Sequence, residues 1–309
     1  MTAQIKQGEV KMKKQETSSW ISRGAVAGVL LAASVAVTGC CSSCGDCRCA
    51  GSGSDTPNVS VFIGAVNRVS SQRHITFAEA ADMLYDAGVR GVDTDPDNKY
   101  LPELAATKLK PINFYFFPNM FGPDNGAADC MRCMDQAVKY GVPRVMVVPT
   151  SFTKGGDEAA EFAKVLSSMK MFVEEGRKRG ITITVEDFGG TSNPCSHAKY
   201  LKRLLDEIPG LCFALDSGNM YYAGRGESIV DMMKYAKGRI AHVHLKDQTA
   251  ENNRKYATLG LGAVPNEEVV KTVSAAGYDG WYTLENPVGD VYTDVIRQVA
   301  VLKYWLGKK

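Results

Sequence analysis

The stretch ITITVED (181–187) alternates apolar and polar side chains. Ile183 and Val185 share one parity, while Thr182, Thr184 and Glu186 share the other. Successive strand residues point to opposite faces, so this segment has one apolar face and one polar face that ends in an acid. If helices cover the outside, the apolar parity lies beneath them and the polar parity points into a closed sheet.

The surrounding sequence supplies those helices and seven similar runs. The β-rich runs are 59–65 (VSVFIGA), 91–95 (GVDTD), 112–118 (INFYFFP), 144–149 (RVMVVP), 181–187, 212–218 (CFALDSG), 240–246 (IAHVHLK) and 281–286 (WYTLEN). Amphipathic segments separate them. One runs from Thr76 to Gly88 and opens with a Thr76…Glu79 capping-box pattern; others occupy 157–180, 266–277 and 293–306. Strand and helix alternating eight times predict an α/β fold, a single (β/α)8 TIM barrel over residues 59–309. An open doubly wound sheet competes, but no Gly-rich phosphate fingerprint follows the first run.

Parity extends to the next three strands. Phe213 and Leu215 face outward, with Cys212, Ala214 and Asp216 inward; Ala241, Val243 and Leu245 face outward, with His242 and His244 inward. Tyr282 and Leu284 face outward, with Trp281, Thr283 and Glu285 inward. Four consecutive strands thus deliver Glu186, Asp216, His244 and Glu285 to the C-terminal rim, where barrel enzymes do their chemistry. Three converging carboxylates repel one another unless a cation neutralises them. A mixed oxygen and nitrogen set suits one divalent ion, Mn²⁺, Co²⁺, Mg²⁺ or Zn²⁺, with positions left for substrate oxygens.

The segments VEDFGG, LDSGN, HVHLKD and YDGWYTLEN, the last preceded by LGLGAVPNEEVVKTVSAAGYDG, resemble the sugar phosphate isomerase/epimerase family of xylose isomerase-like barrels. That resemblance implies Glu186, Asp216, His244 and Glu285 as metal ligands, with His242 one layer deeper. It also implies a keto-sugar or related polyol as substrate, and proton transfer by Glu186 and Glu285 through an enediolate. The same machinery serves a keto-sugar lyase or dehydratase, and a non-catalytic sugar-binding barrel is a further alternative. The family often carries a histidine where this chain has Asn219, which weakens substrate assignment by analogy. Asn219, Lys246 and Arg254 are the candidate substrate-binding residues. Tyr115 and Phe117 could wall a sugar ring, although core packing is the commoner role for such aromatics. His244→Ala is expected to lose metal, and His242→Ala mainly to disturb packing.

The N-terminal segment reads differently. Lys13, Lys14 and Arg23 precede an apolar run at 24–39 that ends in VTGC, which resembles a bacterial lipobox with Cys40 as the lipidated thiol. Residues 1–39 are therefore expected to be a lipoprotein-like signal peptide, and 40–58 a Cys/Gly/Ser-rich tether. The protein is then lipid-anchored in the bacterial cell envelope, periplasmic or outer-membrane, where free sugars are more available than phosphorylated ones. Five of the nine cysteines crowd into 40–49, a spacing also open to a small metal site or local disulfides. Cys130 and Cys133 are expected to pack one helix face. Removing 1–39 leaves 31 Lys and Arg against 32 Asp and Glu, so no basic face exists for nucleic acid. The expected partners are a small-molecule sugar, the membrane through the lipid and, in a homo-oligomer, further copies of the chain.

Overall fold

Short runs rich in Val, Ile and Phe, each followed by a helix, can bury both sheet faces only if the sheet is parallel and covered. The computed structural model describes residues 56–190, 192–224, 226–250, 253 and 255–308 and adopts that arrangement. Its strands are β1 (Asn58–Phe62), β2 (Gly91–Thr94), β3 (Lys110–Phe116), β4 (Arg144–Val147), β5 (Thr182–Glu186), β6 (Cys212–Asp216), β7 (Ile240–Leu245) and β8 (Trp281–Leu284). They pair in sequence order, all parallel, and β8 closes onto β1 to complete the barrel. The helices are α1 (Ile63–Arg73), α2 (Phe77–Asp86), α3 (Leu101–Ala105), α4 (Ala127–Tyr140) and α5 (Glu158–Arg179). They continue with α6 (Ala198–Glu207), α7 (Asn219–Ala223), α8 (Ile229–Tyr235), α9 (Asn266–Ala275) and α10 (Val291–Trp305). The signal-peptide reading, Cys40 and its neighbouring cysteines, and Arg254 lie outside the described residues. Among the described residues, no helix is long and apolar enough to cross a membrane.

The strands end one to three residues short of the runs read from sequence, β3 also starts two residues earlier, and one boundary changes the type of element. The first strand stops at Phe62, and Ile63 already begins α1. A short apolar run is ambiguous by periodicity, and here burial of Ile63, Val66 and Val69 at helical spacing resolves it. The expected capping box forms in full: the Thr76 hydroxyl accepts from the Glu79 N–H, and the Glu79 carboxylate accepts from the Thr76 N–H at 2.8 Å.

The two parities segregate as the alternation requires. Ile183, Val185, Phe213, Leu215, Val243, Leu245, Tyr282 and Leu284 all lie buried in the core between sheet and helices. Inside the barrel a polar group, Ser60, Asp93, Asn113, Thr184, His242 and Thr283, is fully buried, next to a small apolar cluster of Met146, Val148 and Ala214. Near the N-terminal end of the barrel, Trp281 and Ile112 crowd against Gly91, where an added Cβ would fall 2.6 Å from the Trp281 ring. Only glycine fits there. Cys130 and Cys133 are buried free thiols on α4, packed into the core as expected. Burial pushes the Cys130 thiol up to about 12, so it is held protonated and unreactive.

Candidate metal centre

Register decides which inward residues meet. Asp216 pairs with His244 and His244 with Thr283, so the ends of β6, β7 and β8 rise together, with Glu285 immediately beyond β8. One ligand atom from each of Glu186, Asp216, His244 and Glu285 lies within 4.8 Å of every other. His244 Nδ1 is 2.7 Å from Glu186 Oε1 and 3.8 Å from Glu285 Oε2. Asp216 Oδ1 accepts from the N–H groups of Gly218 and Asn219 at 2.8 and 2.9 Å, which aims its other oxygen inward. That oxygen is buried without a well-aligned hydrogen bond, and its nearest cation is Lys246 Nζ at 3.0 Å. Asn286, in the left-handed region at φ 58°, donates from Nδ2 to Glu285 Oε1 at 3.0 Å and steadies that carboxylate.

Lys246 continues the inward parity of β7 above His244. Its ammonium lies 2.9 Å from Glu285 Oε1 and donates to Asn219 Oδ1 at 3.0 Å. Two of the three residues read as substrate-binding therefore touch each other at the rim. Burial lifts the Asp216 carboxyl to about 6 even against the pull of Lys246. The charges of Asp216 and Glu285, with Glu186, overcome burial and hold Lys246 firmly protonated. Asp187, fully buried next to Glu186, accepts the Asp216 N–H at 2.7 Å; burial, then the Asp216 charge, raises its pKa well above the carboxylate range.

Beneath this ring lies a hub that sequence reasoning missed. Asp93 Oδ2 accepts from His242 Nε2 at 2.7 Å, from His244 Nε2 at 3.1 Å and from Asn113 Nδ2 at 2.8 Å. Thr283 donates to its other oxygen at 3.1 Å. Burial alone would raise the Asp93 pKa, but the two histidines outweigh it and hold the carboxylate far below its usual range. Burial lowers His242 to about 4, so that ring is neutral. Burial opposes charge on His244 as well, yet hydrogen bonds to Asp93 and Glu186 raise its pKa well above the usual value. His242 is thus a hydrogen-bonded member of a polar layer, with contacts to Asp93, Thr283 and Arg144, and not simple packing. The signal for Asp93 was available, because GVDTD places Asp93 on the inward parity of the second run, but Asp95, on the same parity, is the acid that ends that run.

Two further roles emerge only in three dimensions. Asp247 accepts four backbone N–H groups, from Gln248 (2.9 Å), Gly260 (2.8 Å), Gly262 (3.0 Å) and Val264 (3.2 Å), and so ties down the loop between β7 and α9. A Cβ on Gly262 would overlap Asp247 Oδ1 at 2.0 Å, so this approach requires glycine. Phe62 stacks its edge on His244, with ring centroids 5.1 Å apart, and Tyr115 leans on Phe62 at 5.3 Å. Tyr115 is half-buried beside the site, whereas Phe117 is 62% exposed and so is not a core residue. Phe117 touches Phe188 edge to face at the rim.

The donor set fits a divalent cation. Three carboxylates and one imidazole converge, and one Asp216 oxygen is buried with no aligned donor. Glu186, Asp216, His244 and Glu285 are the residues that could hold it.

Residues 77–303 match the family described as xylose isomerase-like TIM barrel, and the chain belongs to that family. A Streptomyces coelicolor protein provisionally named hydroxypyruvate isomerase is 24% identical over 207 residues, covering 61% of this chain and 72% of the relative. Among solved structures, the D-psicose 3-epimerase of Clostridium cellulolyticum superposes with a TM-score of 0.63 at 14% identity, covering 81% of this chain and 99% of its own. A provisionally named 3-DHS dehydratase from Bacillus anthracis gives 0.65 at 15% identity, covering 80% and 98%. At these identities the structures speak for the fold alone.

Proposed function

We propose that this protein is a divalent-metal-dependent isomerase or epimerase that moves a proton beside the carbonyl of a keto-sugar or related polyol. The observation that carries the reading is the convergence of Glu186, Asp216, His244 and Glu285 on one rim position, with Lys246 and Asn219 beside them. The isomerase and epimerase names of the relative and of one structural neighbour agree with it. When bound, the ion supplies Lewis-acid polarisation of the substrate carbonyl. One of Glu186 and Glu285 takes the proton from the adjacent carbon and the other returns one, from the opposite face in an epimerase. Lys246 Nζ faces the negative charge that develops on the substrate oxygens, Asn219 hydrogen-bonds a hydroxyl, and Tyr115 with Phe62 forms an apolar wall that limits water. The dehydratase neighbour favours elimination of water as the second reading, since the same base removes the same proton.

The test is metal analysis of the purified protein, then NMR of a keto-sugar panel in D₂O. Deuterium entering a C–H bond supports proton transfer, and the products separate epimerase from lyase. Glu186→Gln and Glu285→Gln should each lower exchange by about 10²–10⁴-fold. Binding of metal and sugar without exchange on any substrate would leave only a binding protein. The proposal includes an envelope location through lipid on Cys40; incorporation of labelled palmitate that survives Cys40→Ser would sink that part.

A further inference from the structure

His244 offers two ring nitrogens, and a metal ligand must present one as a lone pair while the other carries the proton. The barrel interior constrains that choice through a chain of donors and acceptors. Arg144 has only donors, and its Nη1 lies 3.3 Å from His242 Nδ1, so that nitrogen accepts. His242 Nε2 therefore carries the proton and donates to Asp93 Oδ2 at 2.7 Å. Asn113 and Thr283 also donate to Asp93, leaving it an acceptor toward His244 Nε2 at 3.1 Å. The proton of His244 is thereby assigned to Nε2, and Nδ1 faces Glu186 at 2.7 Å and Glu285 at 3.8 Å. Asp93, His242, Asn113 and Thr283 are all fully buried, so bulk solvent offers no competing partner.

We infer that Asp93, itself set by His242 and Arg144, is a positioning residue that fixes the His244 tautomer and makes Nδ1 the ligand nitrogen. The inference rests on the metal-centre reading above. It also explains the histidine pair two residues apart: the lower ring orients the carboxylate that orients the upper one. Such outer partners typically change metal affinity by about 10–100-fold when removed. The Asp93, His242 and His244 cluster is not a second metal site on this account, because His242 Nε2 and His244 Nε2 both carry protons toward Asp93 and have no lone pair to offer an ion.

The experiment has two arms on the purified full chain. Long-range ¹H–¹⁵N NMR of the zinc-loaded protein should show one histidine, assigned by His244→Gln, with a protonated Nε2 and a zinc-shifted Nδ1. With only four histidines in the chain, the spectrum is simple. Asp93→Asn should weaken zinc binding about 10–100-fold in competition with a chromophoric chelator. Zinc on Nε2 in the parent, or unchanged affinity in a folded Asp93→Asn protein, overturns the inference while leaving the metal centre intact. If Asp93→Asn does not fold, the NMR arm on the parent decides alone. No zinc binding by the parent overturns the metal centre and this inference together.

Discussion

Lys246→Met is the most informative perturbation, because it removes a cation from among the candidate metal ligands. Its ammonium lies 3.0 Å from Asp216 and 2.9 Å from Glu285. Each pair is worth about 5–6 kcal/mol of attraction at an effective dielectric of about 20. Much of that is offset by the cost of holding an ammonium out of water, so the net loss on removing one partner is about 3–5 kcal/mol. The loss should depend on pH. Asp216 has its pKa raised to about 6, so below that pH it is neutral and needs no counter-ion. The penalty of Lys246→Met should therefore set in as pH rises past about 6 and still be growing at pH 8, because loss of the ammonium also raises the Asp216 pKa in the variant. A divalent ion supplies the missing positive charge, so added Mn²⁺ should stabilise the variant more than the parent. Urea denaturation followed by tryptophan fluorescence, at pH 5 and pH 8 with chelator or Mn²⁺, reads all three. Equal stabilities of variant and parent at pH 8 without metal would refute the reasoning. So would a metal-induced gain no larger in the variant.

Three further outcomes are expected. Since hydrogen bonds to Asp93 and Glu186 hold a proton on His244 in the metal-free protein, zinc binding should release a proton and tighten as pH rises; calorimetry in two buffers of different ionisation enthalpy checks this, and zero release contradicts it. Asp247→Ala removes the acceptor of four backbone N–H groups, each such charge-assisted bond being worth about 1.5–3 kcal/mol, and should cost at least about 3 kcal/mol of stability by denaturation while metal affinity is retained; a loss under about 1 kcal/mol would overturn the anchor role. Thr76→Ala removes one half of the capping box on α2 and should cost about 1 kcal/mol, an effect confined to stability; altered zinc affinity in this variant would show that α2 communicates with the rim.

Much of this protein was legible in one dimension. Alternation in ITITVED and its counterparts, punctuated by helical segments, determined eight β/α units and therefore the barrel. The same alternation determined that Glu186, Asp216, His244 and Glu285 face inward, because strand parity is a local property of the backbone with a period of two. What it could not determine was contact between strands far apart in the chain. Asp93 meets His242 and His244 across 149 and 151 residues, and Lys246 closes on Asp216 and Glu285, because barrel closure and register bring those side chains to common heights. The end of β1 was likewise a tertiary decision, since Ile63 suits strand and helix alike until neighbours bury one face. Parity chose the direction of each side chain, and the closed sheet chose its partners.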